Sequence, residues 1–420
     1  MRDFLNEVTA LSRTLVHGHA YNGQELDPLG RFLVQTTLRH YFWLDCVVQT
    51  ILDKPLQKKH RDLKLLLILG VSATEFLNQP VYTSVNAAVE TTKRLKKPWA
   101  KGLVNATLRT FQRTKPAVMA KIRSEVALTN HPQWMLDRIQ ADWPSQKANI
   151  IAANNDPAPM ILRVNARKHS RDAYQRLLTT DDLAAKPCPL SADGLILEQA
   201  VAVSDLPGFD QGWVSVQDSG AQMAAQLLQP KPFERVLDAC SAPGSKSCHL
   251  LELEPTLDLV SVDIDPDRLT RVSENFTRLG ASGDIRCLDL TQPQPALGTF
   301  DQILLDTPCS ASGVIRRHPD IKLLRRPEDL TALIETQRQL LTQCFSLLRP
   351  GGSLLYVTCS IFSDENEENI AWFLTHHNQV ETLALPAVGV PRSIGVQLLP
   401  TKDAHDGFYY ARIRKMSPGL

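Results

Sequence analysis

The stretch Leu237-Asp238-Ala239-Cys240-Ser241-Ala242-Pro243-Gly244-Ser245-Lys246-Ser247 decides how the C-terminal half of this 420-residue chain is read. A strand pattern, Arg235 to Ala239, runs into a turn of small residues with one glycine, and a helix follows. Small residues let a backbone approach a ligand closely, and the first turn of a helix offers free N–H groups. The turn is neither a Walker A loop, which needs GxxxxGKS, nor the complete GxGxxG dinucleotide fingerprint. Asp263 ends the next strand pattern, nineteen residues after Gly244, where a carboxylate can accept hydrogen bonds from a ribose diol. Together the turn and the acid predict a nucleotide-like cofactor.

Outward from this stretch the pattern alternates. Strands are expected at Leu257 to Asp263, Asp284 to Leu288, Gln302 to Asp306 and Ser353 to Thr358, with later ones near Val380 to Leu385 and Phe408 to Ile413. Helices are expected between them, notably Asp267 to Leu279 and Pro327 to Leu348. Such alternation predicts an α/β domain, a mostly parallel sheet with helices on both faces and ligands outside the C-terminal strand ends. Two strand ends carry thiols there: Asp306-Thr307-Pro308-Cys309-Ser310 and Thr358-Cys359-Ser360. A single cysteine reads as a small buried hydrophobe, but two at strand ends beside an acid read as nucleophile candidates.

Before this domain the pattern differs. The first 115 residues read as helix after helix, with helical apolar spacing in Phe32, Leu38, Phe42, Val47 and Ile51 and again from Leu63 to Val71. Lys93-Arg94-Leu95-Lys96-Lys97-Pro98-Trp99-Ala100-Lys101 sets five bases around one tryptophan at a helix entry, where phosphates can be received. From His131 to about Gly212 the elements are short and mixed, with strand candidates at Met160 to Val164 and Leu195 to Leu197. Three domains follow: a helical one over 1–130, a small α+β connecting one over 131–212 and the α/β one over 213–420.

Apolar residues at 43% and charged residues at 22% exclude disorder along most of the chain. The net charge of +1 hides an asymmetry: residues 1–135 carry 19 bases against 10 acids, and the remainder 27 against 35. A basic domain beside an acidic one fits a polyanion partner. Leu65 to Val71 is too short to span a bilayer, and the N-terminal residues form neither a signal h-region nor a transit peptide, so a cytoplasmic location and no membrane are expected. The eight cysteines show no CxxC spacing and the 11 histidines no ligand spacing, so no metal is expected.

At these motifs the chain resembles the RNA cytosine-5 methyltransferases of the class I, S-adenosylmethionine-dependent fold. The loop from Asp238 resembles their DxCAAPGGKT, Asp306-Thr307-Pro308-Cys309-Ser310 their DAPCSxxG, and Thr358-Cys359-Ser360 their TCS. The segments Val216 to Gln222, Leu162 to Asn165, Gly313 to Lys322 and Asp406 to Tyr410 are similar to the branch acting on the small ribosomal subunit. That branch carries an N-terminal domain similar to the antitermination factor NusB, and Lys101 to Arg109 looks like its signature. The resemblance implies a Rossmann-like methyltransferase domain and a 16S rRNA substrate with cytosine 967 as the target, and a base that must leave its stack to reach a thiol points to unassembled or partly assembled RNA.

The resemblance also implies site roles. Cys359 is the thiol that adds to cytosine C6, Cys309 assists release of the methylated base, and Asp306 hydrogen-bonds the cytosine edge near the cofactor. S-adenosylmethionine is implied to contact Cys240, Ser241, Ala242, Pro243, Gly244, Ser245 and Lys246, with Asp263 at the ribose, Asp289 near the adenine and Asp306 alongside. Lys246 alternatively orients groups within the active site. Arg316, Arg317, Arg325 and Arg326, close behind Cys309, are expected to hold RNA phosphates.

Three departures stand out: Ser241 and Thr307 replace the family's alanines, and Ser245 replaces its second glycine. If the backbone at 245 needs positive φ, the serine lowers cofactor affinity. Rival readings are a cytosine-5 methyltransferase for tRNA or another rRNA site, and an RNA-binding assembly factor that has lost catalysis. An exocyclic amino methyltransferase would need an aromatic after Asp306-Thr307-Pro308, where Cys309 stands.

Overall fold

A computed structural model describes residues 2–417. Nine helices come first: α1 (Leu5–Leu15), α2 (Pro28–Arg39), α3 (Tyr41–Ile51), α4 (Arg61–Phe76), α5 (Val81–Arg94), α6 (Lys101–Met119), α7 (Glu125–Thr129), α8 (Gln133–Asp142) and α9 (Lys147–Asn155). A small mixed region follows with β1 (Ile161–Val164), α10 (Arg171–Thr180), β2 (Ala185–Pro187), β3 (Gly194–Leu197) and β4 (Val214–Val216). Then come α11 (Ser219–Leu228), β5 (Arg235–Ala239), α12 (Ser245–Leu253), β6 (Asp258–Asp263), α13 (Pro266–Leu279), β7 (Asp284–Cys287) and β8 (Phe300–Asp306). The chain continues through α14 (Ile321–Leu324), α15 (Pro327–Ser346), β9 (Leu348–Thr358), α16 (Glu367–His376), β10 (Val380–Leu383), β11 (Val390–Pro391), β12 (Val396–Leu398) and β13 (Phe408–Lys415).

Two compact units form. One runs to Asp156 and includes Ile315–Arg326; the other holds Pro157–Val314 and the chain from Pro327 onward. In the first unit α4 is buried on all sides from Leu65 to Ala73, because helices surround it and leave no polar face. α2 starts where Asp27 accepts from the Gly30 N–H at 2.7 Å and Pro28 takes the first helical position. Of the five bases near Trp99, Lys93 is paired with Glu90 and Lys97 with Asp62, while Lys96, Lys101 and Trp99 are exposed.

The excursion Ile315–Arg326 completes this unit. Lys322 Nζ donates to the Arg39 carbonyl at 2.8 Å and to Asn155 Oδ1 at 2.9 Å, and Arg39 Nη2 donates to the Arg316 carbonyl at 3.0 Å. Leu323 packs on the helical core. This corrects the expectation for Arg316: it is 1% exposed and turned inward, so it presents no cation to a phosphate. Burial, with Arg39 nearby, also pushes the Lys322 pKa well down.

The second unit has two sheets. The smaller, ordered β2-β3-β1-β4 and antiparallel throughout, buries Leu162, Val164, Leu195 and Val214 against Tyr174 and Leu178 of α10. The larger runs β11-β12-β13-β9-β8-β5-β6-β7, with β10 on β13. Its five strands β9, β8, β5, β6 and β7 are parallel, and β13 joins β9 antiparallel, with Tyr409 opposite Thr358. From β5 the chain builds outward through β6 and β7, then returns to place β8 on the other side. The reversal leaves a crevice beyond the C-terminal ends of β5 and β8.

Candidate active site

A cavity of about 290 Å³ fills that crevice. Each parallel strand delivers residues to it: Cys240 and Ala242 after β5, Asp263 at the end of β6, Leu288 to Thr291 after β7, Asp306 to Cys309 from β8 and Cys359 after β9. Of the residues expected at the site, Cys240, Ala242, Asp263, Asp289, Asp306, Cys309 and Cys359 line it. Ser241, Pro243, Gly244, Ser245 and Lys246, also expected there, do not line it.

The loop after β5 turns through two left-handed residues, Cys240 at φ 60° and Gly244 at φ 91°. A Cβ added at Gly244 would press against Val272 at 3.0 Å, so glycine is required there on both counts. Ser245 instead opens α12 as an ordinary helical residue, and its substitution for glycine carries no backbone strain. The expected loss of cofactor affinity at 245 therefore has no backbone basis. Ser241 and Thr307 are buried, and neither hydroxyl finds a protein partner.

Carboxylates hold this loop in place. Asp263 accepts from the Ala242 N–H and from the Asp265 N–H, both at 3.1 Å, so it ties the β5 loop to the start of α13. Asp289 accepts from the Thr291 N–H at 2.9 Å and its hydroxyl at 2.6 Å. Beneath α12, Arg163 of β1 donates to both oxygens of Glu252, at 2.9 and 2.7 Å, and to the Ser245 carbonyl at 3.0 Å. Removing either partner of so buried a pair would cost about 3–5 kcal/mol.

Asp238 is fully buried at the end of β5, with the Ser247 hydroxyl donating to Oδ2 and no partner at Oδ1. Burial pushes its pKa up to about 7. The folded protein thus keeps a proton that an unfolded carboxylate, with a pKa near ~3.9, releases. Its contribution to stability is full below that value, declines as pH rises toward 7, and is level above. The stability of D238N relative to the native protein should therefore grow by up to about 1.4 kcal/mol per pH unit across that interval. Urea unfolding at a series of pH values checks this, and a pH-independent difference would mean that Asp238 is buried in its charged form.

The two thiols meet at the cavity's edge, with Cys309 Sγ and Cys359 Sγ 3.3 Å apart. Gly313 N–H donates to the Cys359 carbonyl at 2.9 Å, and Gly407 N–H to the Gly313 carbonyl at 2.8 Å, so three distant motifs converge behind the pair. Asp218 joins them by accepting from the Asp406 N–H at 3.2 Å while capping α11 through the Gly220 N–H at 2.8 Å. Lys246 reaches past the loop to pair with Asp306. Burial works against its ammonium, but the Asp306 carboxylate outweighs burial and holds the pKa above the ordinary lysine value. The hydrogen bond to Cys359 and burial raise the Cys309 thiol well above the usual range.

Several lining residues were not anticipated. Arg268 in the first turn of α13, Thr291, and Thr336 and Leu340 of α15 all face the cavity. Arg268 had a readable signal, a base five residues after the strand-end acid at 263. The α15 residues had none, because which face of that helix meets the sheet depends on packing. Among the described residues no cluster of three or more His, Cys, Asp or Glu is placed to hold a metal, and no helix is long and apolar enough to cross a membrane.

A five-stranded parallel core reversing at β5, with its crevice walled by strand-end acids and thiols, defines a Rossmann-like methyltransferase domain. Residues 225–414 match the 16S rRNA methyltransferase RsmB/F family, residues 131–204 the ferredoxin-like domain of RsmF/B-like methyltransferases, and residues 3–113 the NusB family. The chain is 44% identical over 379 residues to ribosomal RNA small subunit methyltransferase B of Pseudomonas putida, covering 89% of this chain and 87% of that one. Its identity to the protein of that name from Vibrio cholerae is 40%, over 98% and 95% of the two chains. The chain belongs to the ribosomal RNA small subunit methyltransferase B family. A crystal structure of a methyltransferase homolog from Pyrococcus horikoshii superposes with a TM-score of 0.62 at 28% identity, covering 69% of this chain and 97% of that one.

Proposed function

We propose that the protein transfers a methyl group from S-adenosylmethionine to C5 of a cytosine in 16S rRNA, through a covalent adduct between Cys359 and cytosine C6. The observation that carries the reading is the thiol pair, 3.3 Å apart, in the lining of a cavity that also bears the strand-end carboxylates. The cavity suits the cofactor. Val262, Ile264, Leu288 and Leu290 offer apolar surface for an adenine, Asp263 and Asp289 offer acceptors, and Asp306 stands on the side of the thiols. When bound, S-adenosylmethionine supplies an electrophilic methyl on a sulfonium.

The protein's own residues do the rest. Cytosine C5 is a poor nucleophile until a thiolate adds to C6 and makes C5 enamine-like. Cys359 forms that C–S bond, and Asp306, steadied by Lys246, hydrogen-bonds the cytosine edge as charge develops. Once C5 is methylated, its proton leaves to a base, the C5=C6 double bond re-forms and the bond to Cys359 breaks, with Cys309 assisting. The base must leave its stack to reach the thiol, which favours unassembled or partly assembled rRNA. By resemblance the target is cytosine 967. The helical region over 1–130 positions RNA, with Trp99, 60% exposed beside Lys96 and Lys101, offering a stacking and phosphate surface. The regions over 131–212 and 213–420 connect and catalyse.

Incubation with tritiated S-adenosylmethionine and unmodified 16S rRNA, followed by nucleoside analysis and mapping, tests the proposal. Label is expected in 5-methylcytidine at one site, more from naked rRNA than from mature 30S subunits. Label in another nucleoside would overturn the reaction, and a clear preference for 30S subunits would overturn the substrate state.

A further inference from the structure

The loop before α4 carries bases that the function above does not use. Lys58, Lys59 and His60 form a short 3₁₀ turn that runs into Arg61, the first residue of α4. A second such turn, Pro98–Ala100, runs into Lys101, the first residue of α6. Two contacts set the turns side by side within the helical unit. The His60 ring packs edge-on against the Trp99 indole, with centroids 5.2 Å apart and planes at 65°. Lys97, just before the second turn, donates to both carboxylate oxygens of Asp62, just after the first.

The charges at this junction do not cancel. Lys97 neutralises Asp62, Lys93 neutralises Glu90, and Asp53 lies earlier in the loop beside Lys54. Lys58, Lys59, Arg61, Lys96 and Lys101 are exposed, and among the described residues none of them is in an ion pair. The positive ends of α4 and α6 add to the same field, since neither helix start has a side-chain cap. Gathered cations repel one another, so the cluster does not stabilise the fold. Trp99 stands among them 60% exposed, a ring held at its edge by His60 and open to a stacking partner.

We propose that the two turns form one docking surface for single-stranded rRNA, in which a base stacks on Trp99 while neighbouring phosphates pair with Lys58, Lys59 and Arg61 of one turn and with Lys96 and Lys101 of the other. The inference rests on the RNA substrate of the reading above and extends it, because the turn before α4 supplies more than half of the cations. Stacking needs an unpaired base, so the surface takes single strands in preference to duplex. Phosphate contacts carry no sequence information, so it holds the RNA without selecting the target base.

Equilibrium binding of a fluorescent, unstructured oligoribonucleotide of 16S rRNA sequence by the full-length protein, repeated over a salt series, tests this. Removing both lysines in K58A/K59A should flatten the dependence of log affinity on log salt by about 1.4, about 0.7 for each lost phosphate contact. W99A should weaken binding by about tenfold at every salt concentration without changing that slope, and W99F, which keeps a ring, should recover most of the loss. The control is K121A/R123A, which removes two exposed charges just beyond the far end of α6, 19 residues or about 28 Å away and well outside the range of screened charge. It should keep the native slope, and the same strand annealed to its complement should bind the native protein less tightly. A native slope in K58A/K59A, an equal loss of slope in the control, or native affinity in W99A would each overturn the proposal. All the altered side chains in the two turns are exposed, and circular dichroism confirms that the variants are folded. Because no methylation is read, failure of the cytosine-5 assignment is seen separately, in the nucleoside assay.

Discussion

Cys359→Ala is expected to abolish methyl transfer, by roughly 10⁴-fold or more, while cofactor binding stays at the native level. The side chain lines the cavity after β9, 3.3 Å from Cys309, to which the proposed mechanism gives release of the product rather than attack. Of the eight cysteines, Cys344 and Cys248 are buried in the core, Cys240 faces the cavity from β5, and Cys287 is exposed at the end of β7. Cys309→Ala should behave differently: addition to C6 still proceeds, but release fails and a protein–RNA adduct accumulates on a denaturing gel. Full turnover by Cys359→Ala, measured by methyl incorporation, would reverse the assignment of the two thiols. Calorimetry with S-adenosylmethionine distinguishes lost chemistry from a lost cofactor site.

Gly313→Ala should also slow methyl transfer, by roughly 10²-fold, without touching a thiol. A Cβ there would collide with the Gly407 carbonyl and lie 2.8 Å from the Cys359 carbonyl oxygen. Both obstacles are backbone, so neither can swing aside. The hydrogen bonds from Gly313 to Cys359 and from Gly407 to Gly313 would open, and Cys359, the proposed nucleophile, would shift. A misplacement of about 1 Å costs roughly 10²-fold in rate, and overpacking costs about 1–3 kcal/mol in stability. Single-turnover methylation and thermal melting measure the two. Gly102→Ala is the control, since nothing lies within 4 Å of a Cβ there and its helical backbone suits alanine. Equal rates for both variants would show that the three motifs do not hold Cys359 in place.

What could be read beforehand divides along physical lines. Strands β5, β6, β8 and β9 end where their acids and thiols stand because parallel strands are near-continuous apolar runs, and polar residues enter only where the chain leaves the sheet. Asp263, Asp306 and Cys359 were legible for that reason. The antiparallel β12 and the helix α16 were not anticipated; β12 has only three residues, and α16 shows little amphipathic contrast. Arg316 was misleading because a cluster of charges reads as surface, and its burial involves Arg39, some 280 positions away in the chain. The turn from Lys58 to Arg61 gave no sign, since only the fold sets it beside Trp99.

The excursion Ile315–Arg326 makes the chain pass between its two compact units three times, after Asp156, after Val314 and after Arg326. No single scission separates them. A catalytic fragment beginning at Pro157 would still carry Arg316, Lys322 and Leu323 but lack the Arg39 and Asn155 groups that satisfy Lys322. Because the thiol loop and this excursion are continuous from Cys309 through Gly313 to Ile315, a chain that lost the residues up to Asp156 would unsettle the segment that follows Cys309.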